Sequence, residues 1–292
     1  MRKHPLFFGF LLLISVGVVC MLVMYALGLL NGGGTPLTAR KYIGVVKVEG
    51  VIRDSRKIID LIADYEEDDD IKAVVLRIDS PGGAVVPAQE IYDRVRALAV
   101  TKPVVASMGT VAASGGYYVA SAADLIVANP GTITGSIGVI VQFSHIHDLL
   151  EKIGLETTVV KSGEYKDIGS PLREMEPRER KIFQELVNDI YDQFVTAVSE
   201  SRSLPKSEVV RLADGRIYTG RQAQEAGLVD EIGGFDHAVD RAAQMAGIIG
   251  EPHVVYPEKE KKSLIRYIIG EIHHEIVYEM DRTQTGILYR MK

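Results

Sequence analysis

The chain has 292 residues, with 33 Lys and Arg against 39 Asp and Glu, for a formal net charge of −6. That balance argues against nucleic-acid binding, which usually depends on a basic face. The single cysteine, Cys20, sits in an apolar run, so the rest of the chain can form no disulfide, cysteine metal site or thiol nucleophile.

Residues 1–5 form a short basic N-terminus that carries Arg2 and Lys3. Residues 6–30 follow without one charged side chain. At about 1.5 Å per residue this run reaches roughly 37 Å, enough to cross a ~30 Å hydrocarbon core with some tilt. A cleaved signal peptide has an apolar region of about 7–15 residues and a small-residue cleavage site. This run is longer and has no such site. Lipidation at Cys20 is also disfavoured, because Val18 and Val19 precede it. The expectation is therefore one uncleaved transmembrane helix in a cell membrane. Positive charge at its start favours a cytoplasmic N-terminus and an extracytoplasmic domain.

Residues 31–40, with Asn31-Gly-Gly-Gly-Thr-Pro36, read as a flexible linker. One domain follows over 41–250. Residues 251–292 are a C-terminal extension, partly helical by the spacing of Leu264, Ile268, Ile272 and Ile276. Without Arg2 and Lys3, 31 basic side chains stand against 39 acidic ones.

Within the domain, strand and helix signals alternate. Strands are expected at 43–48, 72–78, 103–107, 125–128, 137–141 and 157–160. Most are short, apolar and β-branched, as buried parallel strands are. Helices are expected at 87–98, 114–122, 147–153 and 178–202, the first with Pro87 in its opening turn. Such alternation implies βαβ units and a mainly parallel sheet. In the 178–202 helix, Ile182, Leu186, Ile190, Phe194 and Val198 form one apolar row. Phe183, Val187, Tyr191 and Val195 form the next. That face is wider than a surface helix needs, and packs either on its own domain or on a neighbouring subunit.

The chemistry centres on Ser114, within Ala112-Ala113-Ser114-Gly115-Gly116. Serine is a poor nucleophile without an adjacent base. His4, His145, His147, His237, His253, His273 and His274 lie outside any Gly-rich or strand-end loop, and no Gly-x-Ser-x-Gly elbow exists. Lysine can substitute when neutral, which requires its ordinary value of about 10.4 to be lowered by its surroundings. Lys166, in Ser162-Gly163-Glu164-Tyr165-Lys166, is the candidate. Gly82, Gly83 and Gly115 can present backbone N–H groups to an oxyanion with no side chain in the way. Which of Gly82 and Gly83 donates is left open by the sequence. Asp79 reads as a turn-shaping residue, and Tyr117 and Tyr118 as packing residues.

Six stretches in order carry a specific resemblance: 79–83 (Asp-Ser-Pro-Gly-Gly), 107–109, 113–118, 131–138, 162–166 and 218–231. Together they resemble the signal peptide peptidase A family (protease IV, the S49 serine peptidases). The likeness covers about residues 43–246. It implies a Clp-protease/crotonase-like βαβ spiral, an α/β fold, and makes 41–250 a catalytic domain. It implies Ser114 as nucleophile, Lys166 as general base and Ser136 as the residue that orients the lysine. No cofactor or metal is implied. The family's substrates imply apolar peptides, such as signal peptides left in the membrane after processing. One domain rather than two in tandem resembles the short form. That form implies a ring-shaped homo-oligomer in which Lys166 meets Ser114 of a neighbour.

Two rival functions share the fold. A stomatin-type, membrane-protein-specific protease would use a similar dyad. A crotonase-like acyl-CoA enzyme would use oxyanion donors without a Ser–Lys pair. A non-catalytic scaffold would have no need of an intact Ser114 and Lys166.

Overall fold

The computed structural model describes residues 14–23, 41–257 and 287–290. The chain divides into two compact units, 1–40 and 41–292. In the first, residues 14–23 are helical. The rest of the expected span and the linker 31–40 lie outside the described residues, as does the periodic stretch 264–276. No helix among the described residues is long and apolar enough to cross a membrane.

The second unit alternates strand and helix. Its first half contains β1 (Tyr42–Glu49), α1 (Arg56–Glu67), β2 (Ile71–Ser80), β3 (Gly82–Ala84), α2 (Val85–Ala99), β4 (Val104–Ala113), α3 (Gly115–Ser121) and β5 (Leu125–Ala128). Then come β6 (Ile133–Gly135), β7 (Ile140–Val141), α4 (His147–Lys152), α5 (Pro177–Arg202), α6 (Lys206–Leu212) and β8 (Ile217–Thr219). The chain continues through α7 (Gly220–Glu225), β9 (Glu231–Ile232), α8 (Phe235–Met245), β10 (His253–Val255) and β11 (Ile287–Arg290).

Six strands pair in parallel in the order β10-β1-β2-β4-β5-β9. β6 pairs in parallel with the far end of β4, and β8 pairs antiparallel with β6. This mixed α/β sheet is buried on both faces, which is why its strands are apolar throughout rather than alternating. Ala73, Val75, Val105 and Val127 pack under α8, against Ala238 and Ala242. Val74, Leu76, Ile78 and Met108 face the opposite layer, where Ile91, Val95 and Phe194 close the core. Each large aliphatic side chain buried this way contributes roughly 1.5–3 kcal/mol.

Several expected elements shift. β4 runs on to Ala113, because Gly109 and Ala112 let its far half lie close to Ser80 and Asp79. The strand expected at 137–141 is reduced to Ile140–Val141, with Ile133–Gly135 as the pairing segment before it. The strand expected at 157–160 does not form. Residues 155–160 are exposed and pair with no strand edge, so β-branched Thr157, Thr158, Val159 and Val160 have nothing to complete.

The wide apolar face of α5 divides in two. Phe194, Val195 and Val198 are buried in the domain, whereas Ile182 and Leu186 stay exposed. A capping box between Glu176 and Glu179 fixes the start of this helix. A second, smaller sheet has the order β3-β11-β7, with both pairings antiparallel. It brings the last described residues of the C-terminal extension alongside Gly82 and Gly83.

Candidate active site

Ser114 directly follows β4 and caps α3, at φ 53° and ψ −119°. A non-glycine residue in that region is strained by about 1–3 kcal/mol and is held there only by its surroundings. The restraints are visible. Its N–H donates to the Gly135 carbonyl at 2.8 Å, and its own carbonyl accepts from Tyr118 N–H at 2.9 Å. Its side chain is fully buried, and Oγ has no hydrogen-bond partner. A buried hydroxyl without a partner is costly and uncommon, and such groups concentrate at reactive positions.

The glycines around it are needed for contact. A Cβ on Gly83 would lie 2.0 Å from the Ile52 carbonyl oxygen, and one on Gly116 would lie 2.7 Å from the Ser80 carbonyl oxygen. Gly82 and Gly83 now separate. The Gly82 N–H donates to Ser80 Oγ at 3.1 Å. Ile52 N–H donates to Gly82 O, and Ala84 N–H donates to Ile52 O. Backbone groups alternate sides along a strand, so the N–H of Gly83 faces away from Ile52, toward Tyr289 of β11. Gly115 opens α3, where a first-turn N–H has no acceptor within the helix.

Ser136 lies one residue past the carbonyl that holds Ser114. It is buried at φ 50°, and its N–H donates to Arg216 O at 2.8 Å. Asp79 accepts from Val111 N–H at 3.0 Å, tying β2 to β4 as a shaping residue would. Tyr117 donates from its hydroxyl to Leu228 O at 3.0 Å, and burial pushes its phenol far up. Burial also pushes the Tyr118 phenol up to about 12. Both rings pack and are unsuited to react near neutral pH.

Lys166 is exposed, in a run of turns over 164–169, and its N–H donates to Gly163 O at 3.2 Å. Ser114 Oγ is unpartnered, so Lys166 does not reach it within this protomer. The histidines do not reach it either. His237 Nε2 pairs with Glu231 Oε2 at 2.7 Å, and His147 Nδ1 contacts Leu172 O at 3.1 Å. His145 and His253 are exposed, and His4, His273 and His274 lie outside the described residues.

Sequence reasoning missed how the lysine segment is held. Asp167, next to Lys166, accepts from Arg173 Nε at 2.9 Å and from Lys161 Nζ at 2.6 Å. Arg173 also donates to both oxygens of buried Glu179. Hydrogen bonds from Arg173 hold the carboxyls of Asp167 and Glu179 below the usual carboxylate range. The signal was the density of alternating charge over 161–179, which reads as a solvated surface until the fold brings the partners together.

The pattern of Peptidase family S49 matches residues 96–248, and that of Clp protease matches residues 45–130. The second match accords with the βαβ architecture of the sheet. A candidate protease of Synechocystis sp. is 44% identical over 234 residues, covering 80% of this chain and 84% of that one. The chloroplastic serine protease SPPA of Arabidopsis thaliana is 34% identical over 272 residues, covering 90% of this chain and 40% of the relative. A candidate signal peptide peptidase SppA of Enterococcus faecium is 37% identical over 216 residues, covering 69% of this chain and 63% of the relative.

Proposed function

We propose that this chain, a serine peptidase that belongs to peptidase family S49, hydrolyses apolar peptides at a membrane with Ser114 as nucleophile and Lys166 as base. The observation that carries the reading is the state of Ser114: strained, buried and with an unpartnered Oγ, at the start of the helix that Gly115 opens. In the reaction, neutral Lys166 Nζ takes the proton from Ser114 Oγ as the oxygen attacks the scissile carbonyl. The N–H groups of Gly83 and Gly115 bind the oxyanion. Lys166 then gives its proton to the leaving amine, and water releases the acyl group by the reverse steps. Ser136, one residue past the Gly135 carbonyl that holds Ser114, orients the lysine.

The base comes from a neighbouring copy. Lys166 is exposed in the protomer, and Ser114 is left without a partner. The exposed half of α5, with Ile182 and Leu186, and the apolar segment with Leu155, Val159 and Val160 supply surface for a closed ring. Residues 6–30 anchor the ring in the membrane, with the catalytic domain on the extracytoplasmic side. Cleaved signal peptides are the matching substrate class, being apolar and left in the membrane. The name of the Enterococcus relative points the same way.

Mixing full-length Ser114→Ala with full-length Lys166→Ala protein tests the shared site. Each alone is inactive, and mixed rings that pair an intact Ser114 with an intact Lys166 regain peptidase activity. Mixtures that stay inactive despite proven subunit exchange would overturn the shared site.

A further inference from the structure

We infer that Arg173 is a positioning residue for catalysis: its guanidinium clamps Asp167 to Glu179 and so fixes the backbone from which Lys166 projects. The inference rests on Lys166 being the base. The segment 155–170 has no strand or helix of its own, and Lys166 lies in its turns. A lysine on such a segment can be aimed only if the segment is fastened nearby. Arg173 provides that fastening. Its Nε and Nη2 donate to Asp167 Oδ2 and Oδ1 at 2.9 and 3.0 Å, and Nη2 also reaches the Asp167 carbonyl at 3.3 Å. On its other edge, Nη1 and Nη2 donate to Glu179 Oε2 and Oε1 at 2.8 and 2.5 Å.

Glu179 is the fixed end. Its side chain is 3% exposed, and it sits in the first turn of α5, where Oε2 also accepts from Glu176 N–H at 3.0 Å. The helix is rigid and its later turns are built into the core, so position passes from α5 through Arg173 to Asp167. Lys166 is the residue immediately before it in the chain. Lys161 Nζ adds a second tie to Asp167 Oδ1 at 2.6 Å. A planar fork that holds two carboxylates at once is a geometry lysine cannot copy. Displacement of a catalytic group by about 1 Å can reduce turnover by about 10²-fold.

Arg173→Ala leaves buried Glu179 unpaired and invites misfolding. Two other full-length variants therefore carry the test. Asp167→Asn loosens only the lysine end. Arg173→Ala with Glu179→Gln removes the clamp and the orphaned charge together. In both, kcat falls about 10- to 100-fold, KM is unchanged, and phosphonofluoridate labelling of Ser114 slows to match. Melting temperature and ring size stay as in the parent. Lys166→Ala, measured in parallel, separates the two readings. If Lys166→Ala keeps its activity, the assignment of the base falls. If Lys166→Ala is inactive while both clamp variants keep full kcat, this inference alone falls. A loss of activity that comes with a lower melting temperature or a broken ring makes Arg173 a structural residue and also overturns it.

Discussion

The Ser114 N–H donates to the Gly135 carbonyl at 2.8 Å, so one hydrogen bond joins the proposed nucleophile to the turn that carries Ser136. Both serines sit at positive φ, 53° and 50°. The site therefore stores backbone strain on both sides of that bond, and Ser114 adds a hydroxyl that is buried without a partner.

Function and stability should oppose each other at Ser114. Alanine removes the unpartnered hydroxyl and leaves the β4 and α3 packing in place. We expect Ser114→Ala to be inactive yet more stable than the parent by about 1 kcal/mol. For a domain of this size that is a rise in melting temperature of about 2–4 °C. Calorimetry of the two proteins checks it, and a lower melting temperature for the variant would show that the hydroxyl stabilises the fold.

Gly83→Ala should damage catalysis more than its size suggests. The added Cβ would lie 2.0 Å from the Ile52 carbonyl oxygen, a backbone atom that cannot swing aside. β3 must shift, and the Gly83 N–H shifts with it. Loss of one oxyanion donor reduces kcat by about 10²–10³-fold, and overpacking costs about 1–3 kcal/mol. Steady-state kinetics beside a melting curve reads both effects. Full activity in this variant would remove Gly83 from the oxyanion site.

Much of this architecture is legible in the sequence because the parallel strands are buried on both faces. Runs such as Ala-Val-Val-Leu at 73–76 then leave little choice of element. Ser114 and its glycines are legible for a related reason, since only very small residues fit where α3 meets Ser80. Thr157, Thr158, Val159 and Val160 show the limit. Their β-branched pattern predicts a strand, but strand formation needs a partner edge, and among the described residues these four pair with none. Arg173 shows another limit. Its two carboxylate partners lie on opposite sides of it in sequence, and only the turn of the chain into α5 puts them on one guanidinium.

The acid side of the rate profile should report the base and not release of its loop. Bonds from Arg173 lower both Asp167 and Glu179. A carboxylate with a lowered folded value stabilises fully above its unfolded value, near pH ~4, and is lost only as pH falls through the lowered one. From pH ~8 down to pH ~5 the clamp is therefore intact, while a lysine base loses activity because only its neutral form accepts a proton. We expect kcat/KM to fall across that window. Amide exchange over 161–173, corrected for intrinsic rates, should stay constant. A rate that peaks near pH ~5 would contradict a lysine base. Exchange that rises as the rate falls would mean that the loop lets go first.

Removal of the last strand should speed the enzyme. In the smaller sheet, Tyr289 stands opposite Gly83, and Ile287 stands opposite Val141. The backbone of β11 thus lies along the edge that the Gly83 N–H faces, where an extended peptide would pair with the same groups. A tethered occupant competes at the high effective concentration that its linkage gives it. A chain that ends at Gly286 leaves the edges of β3 and β7 open to substrate. We expect kcat/KM on a short apolar peptide to rise several-fold in that truncated chain, with faster labelling of Ser114 by a phosphonofluoridate. A synthetic peptide with the sequence of residues 287–290 should inhibit the truncated chain competitively. Unchanged or lower kcat/KM after truncation would mean that β11 supports the site it borders and does not compete for it.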